Sequence, residues 1–334
     1  MSTSTQTPEY LQQQGQGIGQ SLGAWFTKVR SGDMGSLPAI LGLIVLVLLF
    51  AALRPTFSTP LNFANFLTQA AVVMILAMGL IFVLLLGEID LSAGVTSGVA
   101  GAILAVLMSK NGAPWYVAAG AAIAAGLIIG FCIGLLVAKV GIPSFVVTLA
   151  LFLAFQGLVL VIIGEGGNVR ITDPVIKAIE NDNLPIWLGW ALYVVVVVGY
   201  LAAALIGRQR RQARGFPGAS LGVIGLKTVV LAVIGFAAVW VLSLERSTNP
   251  EVNPLSGVPI IVPILLILTL GFGFVLNRTR FGRHIYAVGG NAEAARRAGI
   301  RISQVRIACF TICSTTAAFA GIVAASRAAS VDPN

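Results

Sequence analysis

Two carboxylates stand where a strongly apolar chain has least use for them. Glu88 and Asp90 fall in Gly87-Glu88-Ile89-Asp90, between two apolar runs. Acids at or near membrane depth are costly and mark a functional site by default. The plainer reading is that Asp90 or Ser92 caps the next helix and the acids face water. A second set is polar residues inside the runs: Gln69, Ser144, Thr148 and Gln156. Ser144 and Thr148 are four apart, and Thr148 and Gln156 eight apart, so with Phe152 they are expected on one helix face. Hydroxyls, an amide and a ring on one face suit the path of a hydroxyl-rich solute. Hydrogen bonds between helices are the plainer use.

Other chemistries are excluded. His284 is the one histidine, so there is no HExxH zinc site, no bis-His haem site and no Ser–His pair with a choice of base. Cys132, Cys309 and Cys313 all lie in apolar segments. Cys309 and Cys313 share a helix face, but without further ligands they read as small packing residues. No metal site is expected. Gly225-Leu226-Lys227-Thr228 lacks the Gly-Lys step of a phosphate loop, so any ATP hydrolysis must come from another polypeptide.

What positions these residues is a membrane bundle. Of 334 residues, 57% are hydrophobic and 10% charged, where a soluble domain carries roughly 25% charged residues. The apolar blocks are long enough to cross ~30 Å of hydrocarbon as helices. Nine spans are expected, at about 37–53, 66–86, 91–109, 115–138, 144–163, 186–206, 226–244, 258–276 and 304–325. The fold class is all-α, a polytopic transmembrane helix bundle. The charge of +9 does not indicate nucleic acid, because the positives lie between spans.

The positive-inside rule orients the bundle. With the N-terminus inside, inner segments hold Lys28, Arg30, Lys139, Arg208, Arg210, Arg211, Arg214, Arg278, Arg280, Arg283, Arg296, Arg297, Arg301 and Arg306. Outer segments hold Arg54, Lys110, Arg170, Lys177, Arg246 and Arg327. Residues 1–36 then form a polar cytoplasmic tail, with a weakly amphipathic stretch from Leu22 to Val29. The join at 87–90 stays open: it is a very tight hairpin or a helix broken within the membrane, which is tolerated where it is buried or lines a cavity. Gly126, Gly130 and Gly134, and likewise Gly94 and Gly98, repeat at spacing four and are expected to let helix backbones approach. Trp115, Trp187 and Trp190 sit near span ends as interfacial anchors.

One inner loop, 277–303, carries unusual local definition. Ala292 to Ala298 reads as a short helix with Asn291 as N-cap and Gly299 at C′. Glu293 lies in its first turn, Arg296 and Arg297 in its last, and Glu293 pairs with Arg297 at i,i+4. A helix this short is marginal alone in water, which argues that it docks on something.

The run Thr279-Arg280-Phe281-Gly282-Arg283-His284-Ile285-Tyr286-Ala287-Val288-Gly289-Gly290-Asn291, continuing through Glu293-Ala294-Ala295 to Gly299-Ile300, resembles the cytoplasmic coupling loop of ABC-transporter permeases. Its lead-in is similar to that of the ribose/xylose-type monosaccharide permeases. Gly87-Glu88-Ile89-Asp90-Leu91-Ser92-Ala93-Gly94 and Ile142-Pro143-Ser144-Phe145-Val146-Val147-Thr148-Leu149 agree with that family. The extra segment with Leu184-Pro185-Ile186-Trp187-Leu188-Gly189-Trp190 is similar to the longer xylose or multiple-monosaccharide type. Such permeases normally continue beyond the point matching Asn334, so a truncated C-terminus is expected.

The resemblance implies the inner-membrane permease subunit of a binding-protein-dependent, ATP-driven importer of a xylose-like monosaccharide, itself not an enzyme. Implied partners are a periplasmic sugar-binding protein outside, an ABC ATPase subunit inside that uses ATP and Mg, a second permease copy and membrane lipid. Implied coupling residues are Gly282, Arg283, Gly289, Gly290, Asn291, Glu293, Ala294, Ala295, Arg296, Arg297 and Gly299. Gln69, Glu88, Asp90, Ser144, Thr148, Phe152 and Gln156 are the candidates for the translocation path. Permeases for branched-chain amino acids or nucleosides are the nearest alternative, and an ion-coupled carrier a more distant one. The latter needs ionisable residues in mid-span, and only Glu88 and Asp90 qualify.

Overall fold

The computed structural model describes Gly35 and residues 37–164, 167–216, 218–247, 249–251 and 254–332. Apart from Gly35, the expected tail lies outside the described residues. Seven helices are long and apolar enough to cross a membrane. They are α2 (Pro60–Leu84), α4 (Trp115–Leu135, extended by a π-helical turn Leu136–Val140), α5 (Ser144–Ile163), α7 (Ile186–Gln212), α8 (Leu221–Ser243), α9 (Ile261–Arg278) and α12 (Ile302–Ala328). Two shorter apolar helices, α1 (Leu37–Leu53) and α3 (Ala93–Ser109), complete the expected order of spans. Three further helices were not all foreseen: α6 (Pro174–Asn181), α10 (Arg280–Gly290) and α11 (Ala292–Arg297). Strands β1 (Val169–Arg170) and β2 (Ser330–Val331) pair antiparallel.

The described residues form two compact units, those up to 64 with those of 184–258, and those of 65–183 with those from 259 on. In the first, α7 and α8 make a hairpin. Trp190 packs its ring 5.2 Å from Phe236, and the Tyr193 hydroxyl donates to Ala232 O at 3.1 Å. Trp190 thus packs within this hairpin. The loop after α8 is organised by two neighbours. Glu245 Oε1 accepts from the backbone N–H of Arg246, Ser247 and Leu255, while the buried Arg246 guanidinium donates to Leu242 O and Gly257 O.

In the second unit α12 is the axis. Thr311, Thr315 and Thr316 turn their hydroxyls onto carbonyls four residues back, so the helix presents small, satisfied side chains. Gly126, Gly130 and Gly134 of α4 lie against it. A Cβ on them would stand 2.5 Å from Ala318 Cβ, 2.5 Å from Phe310 O and 2.6 Å from Ile307 Cα. In lipid, such close van der Waals contact replaces the hydrophobic drive. The expectation for Gly94 and Gly98 is corrected. Gly94 has nothing within 4 Å of its missing Cβ, and Gly98 only Val159 at 3.7 Å. Helix α12 passes one step further round α3, where Gly321 packs on Ser97 O and a Cβ on Gly101 would stand 3.3 Å from Gly321 O.

Packing also resolves the join at 87–90. Along α2, Ala71 and Ile75 cluster with Ala320 and Val323, while Phe82 and Leu86 cluster with Val305 and Cys309, so α2 runs antiparallel to α12. Along α3, Ala93 clusters with Phe310, Cys313 and Ala317, and Leu104 and Ala105 belong with Ile322 and Ala325, so α3 runs parallel to it. The chain therefore reverses. Yet α3 begins beside Cys313 while α2 reaches Val305, about 12 Å apart along α12 at 1.5 Å per residue. The join is a reversal whose return leg, 88–92, is unwound alongside α12, with Asp90 and Ser92 buried and Ile89 and Leu91 exposed.

Candidate functional site

The unwound leg must satisfy its backbone without helix bonds, and side chains do this. Ile89 N–H donates to Ser144 Oγ at 3.1 Å, and Thr148 Oγ1 lies 3.4 Å from Ile89 O while donating to Ser144 O at 2.9 Å. Asp90 is buried, and its Oδ1 accepts from Ser92 N–H at 2.9 Å and Ser92 Oγ at 2.6 Å. Ser92 itself makes no side-chain cap on α3. Glu88 Oε1 lies 3.1 Å from Arg306 Nε, with the glutamate side chain 14% exposed. The Nε–H makes no aligned hydrogen bond, so this is a charge pair rather than a directed bond.

The four path candidates on α5 and the one on α2 divide. Ser144 and Thr148 are buried at Ile89, Phe152 is half-buried, and Gln156 and Gln69 are exposed on their helix faces. At 3.6 residues per turn an eight-residue spacing drifts by about 80°, which takes Gln156 off the face Thr148 uses.

Against the reversal lies the 277–303 segment. Thr279 caps α10, its Oγ1 accepting from Gly282 N–H at 3.1 Å and donating to Val275 O at 2.5 Å. Ile285 and Val288 are buried with Phe82, Leu86, Val305 and Cys309. Two glycines permit the seat. A Cβ on Gly282 would overlap Leu276 O, and one on Gly289 would overlap Leu85 O. Gly290 and Arg283 face outward.

Helix α11 follows at once. Asn291 Oδ1 accepts from Ala294 N–H at 2.9 Å. At the other end Gly299, with φ +81°, sends its N–H to Arg296 O, and Ile300 N–H bonds Ala295 O. This is a Schellman close, with Ile300 and Ala295 in one apolar cluster. Glu293 pairs with Arg296 at 3.5 Å and Arg297 at 3.4 Å, all well exposed. Ala294 faces outward, whereas Ala295 is buried in the chain's own packing. The pair thus presents charge outward on an apolar mount. Between α10 and the start of α12 a cleft of about 510 Å³ is lined by Phe281, His284, Ile300, Arg301 and Gln304. Basic groups over an apolar floor suit an acidic side chain of a protein partner.

Sequence reasoning missed α10, the Arg306 pairing and the clamping of Ile89. Arg306 had left a signal, an ionisable side chain inside the start of an apolar span. At the opposite end of this unit it also missed α6. Asp173 caps that helix through Val175 and Ile176 N–H, and Ser326 Oγ accepts Glu180 N–H at 3.1 Å. Glu180 is buried. Burial pushes its carboxyl up to about 7, opposed by the attraction of Arg327.

The comparisons agree with this arrangement. A family model described as branched-chain amino acid transport system / permease component matches residues 62–334. The xylose transport system permease protein XylH of Escherichia coli (strain K12) is 34% identical over 92% of this chain and 76% of its own length. Its namesake in Haemophilus influenzae is 30% identical, over 92% of this chain and 79% of its own. The ribose import permease protein RbsC of Escherichia coli (strain K12) is 30% identical, over 92% and 74%. No solved structure matches. The family match takes in the reversal at 85–92, the α10–α11 loop and the α12 axis: the chain is a multi-pass membrane protein and belongs to this family of transport-system permease components.

Proposed function

We propose that the chain is the permease subunit of an ATP-driven, binding-protein-dependent importer of a pentose such as xylose, in a bacterial inner membrane with its N-terminus inside. The observation that carries the reading is α11, a helix capped at both ends and held on an apolar mount, with Glu293, Arg296 and Arg297 turned to solvent. Such a short helix with an outward charge pattern is built to be gripped. A cytoplasmic ATPase subunit using ATP and Mg is the partner, and a periplasmic sugar-binding protein delivers substrate at the opposite face. A second permease copy completes the path, facing helices on which Gln69 and Gln156 stand exposed. The sugar follows from the relatives named for xylose and ribose. The family description names branched-chain amino acids, and that is the alternative cargo.

The test is co-expression with a candidate ATPase and binding protein, followed by ATP hydrolysis in proteoliposomes. Stimulation by binding protein with a pentose supports the proposal. Accumulation on an ion gradient without ATP overturns it, and stimulation by leucine but no sugar moves it to the alternative.

A further inference from the structure

The reversal is touched in two physically different ways, by α10 at its turn and by α12 at its unwound leg. Gly289 abuts Leu85 O, and a steric contact of this kind transmits a push but not a pull. Glu88 and Arg306 attract across 3.1 Å, and attraction between charges falls only as 1/r, so the pair transmits in both directions. The other acids at this end are occupied. Glu293 is held by Arg296 and Arg297, and Asp90 has Oδ1 engaged by Ser92, its Oδ2 being buried without a hydrogen-bond partner among the described residues. On the far side of the leg, Ser144 and Thr148 tie Ile89, the residue beside Glu88, to α5. Arg306 lies in the second turn of α12, whose first residue Ile302 shares an apolar cluster with Ile285, Val288 and Ala295.

We infer that Glu88 and Arg306 are positioning residues that link movement of the α10–α11 segment to the unwound 88–92 leg and through it to α5. This rests on the permease reading above. When α11 is displaced, the α12 start and Arg306 move with it, Glu88 follows Arg306, and Ile89 carries the movement to Ser144 and Thr148. The pair joins coupling to path without contacting ATPase or solute.

The experiment compares Glu88→Gln, Arg306→Gln and the exchanged double variant Glu88→Arg/Arg306→Glu in the complex reconstituted with its ATPase and binding protein. Three quantities are read: ATPase co-purification, basal ATP hydrolysis, and sugar moved per ATP. The single variants are expected to keep co-purification and basal hydrolysis, with sugar per ATP falling at least about five-fold, the low end for coupled sites. The exchanged pair is expected to recover part of that loss, which a merely structural role would not give. Unchanged sugar per ATP in both singles overturns the inference, as does an exchanged pair that folds and binds ATPase yet recovers nothing. Should Glu88→Gln fail to accumulate, Arg306→Gln is scored alone, since Arg306 is 32% exposed. If the unaltered chain binds no ATPase, it is the permease proposal that fails.

Discussion

Gly289 lies with its bare Cα against the carbonyl oxygen of Leu85, so close that a Cβ would overlap it. A Cβ on its neighbour Gly290 would meet nothing within 4 Å. Two adjacent glycines in one motif therefore have different reasons to be there, and substitution separates them. Gly289→Ala must lift α10 off the end of α2, at about 1–3 kcal/mol for overpacking. Gly290→Ala meets no atom and is expected to be neutral. Thermal unfolding in detergent and transport in proteoliposomes should both fall for the first variant only. Equal behaviour of the two would show that α10 is not seated on Leu85.

The same comparison applies in the bundle interior. Gly130→Ala places a methyl 2.5 Å from Phe310 O and 2.7 Å from Thr311 Cα, which forces α4 and α12 apart and costs about 1–3 kcal/mol. Gly94→Ala enters open space in the first turn of α3, where alanine is favoured over glycine by less than the roughly 0.5–1 kcal/mol of a helix interior. Melting temperatures in one detergent should move in opposite directions. A common fall would mean that α3 and not only α4 depends on its spacing-four glycines.

These two glycine sets show how much was legible. Spans follow from apolar length alone, since hydrocarbon leaves a helix as the one way for a lone segment to satisfy its backbone. Gly126, Gly130 and Gly134 were readable because three in register mark a face. Gly94 and Gly98 were misread because a pair does not say which side the neighbour takes. The caps of α11 were legible since Asn291 and Gly299 act locally. The Glu88–Arg306 pair was not, because its partners are far apart in sequence and meet only once α2 and α12 lie antiparallel. Helix α10 was hidden by glycines: Gly282, Gly289 and Gly290 read as loop, although two of them are there for close packing.

Protonation of Glu180 should control how firmly α6 is held. Its carboxyl is raised from 4.5 to about 7 by burial, with Arg327 pulling the other way. Both oxygens accept no hydrogen bond from a described residue. A raised acid favours the neutral form in the fold, so its contribution is fully present below pH 4.5 and is lost as pH rises through about 7. The shift corresponds to at most roughly 3 kcal/mol. Protection factors of the α6 amides, which correct for the base-catalysed intrinsic exchange rate, should therefore be higher at pH 5 than at pH 8. Glu180→Gln should remove that difference and protect α6 at pH 8. A difference that survives the substitution would assign the titration to another group.

Glu293→Arg separates docking from folding. The pairs Glu293 makes with Arg296 and Arg297 are exposed, and such i,i+3 and i,i+4 pairs contribute about 0.3–0.5 kcal/mol. Reversing the charge also places a third cation on one turn and opposes the helix dipole, adding roughly 0.5 kcal/mol. The N-cap from Asn291 and the burial of Ala295 are untouched, so α11 should remain folded and the chain insert normally. Recognition by a partner has no such tolerance, because like charges brought together across a contact are strongly disfavoured. ATPase co-purification should drop at least about ten-fold, a change of roughly 1.4 kcal/mol. Ala294→Leu, on the outward face, should do the same by bulk. Ala295→Leu should instead lower the melting temperature, since that side chain faces the mount. Full co-purification of both Glu293→Arg and Ala294→Leu would remove α11 from the contact with the ATPase.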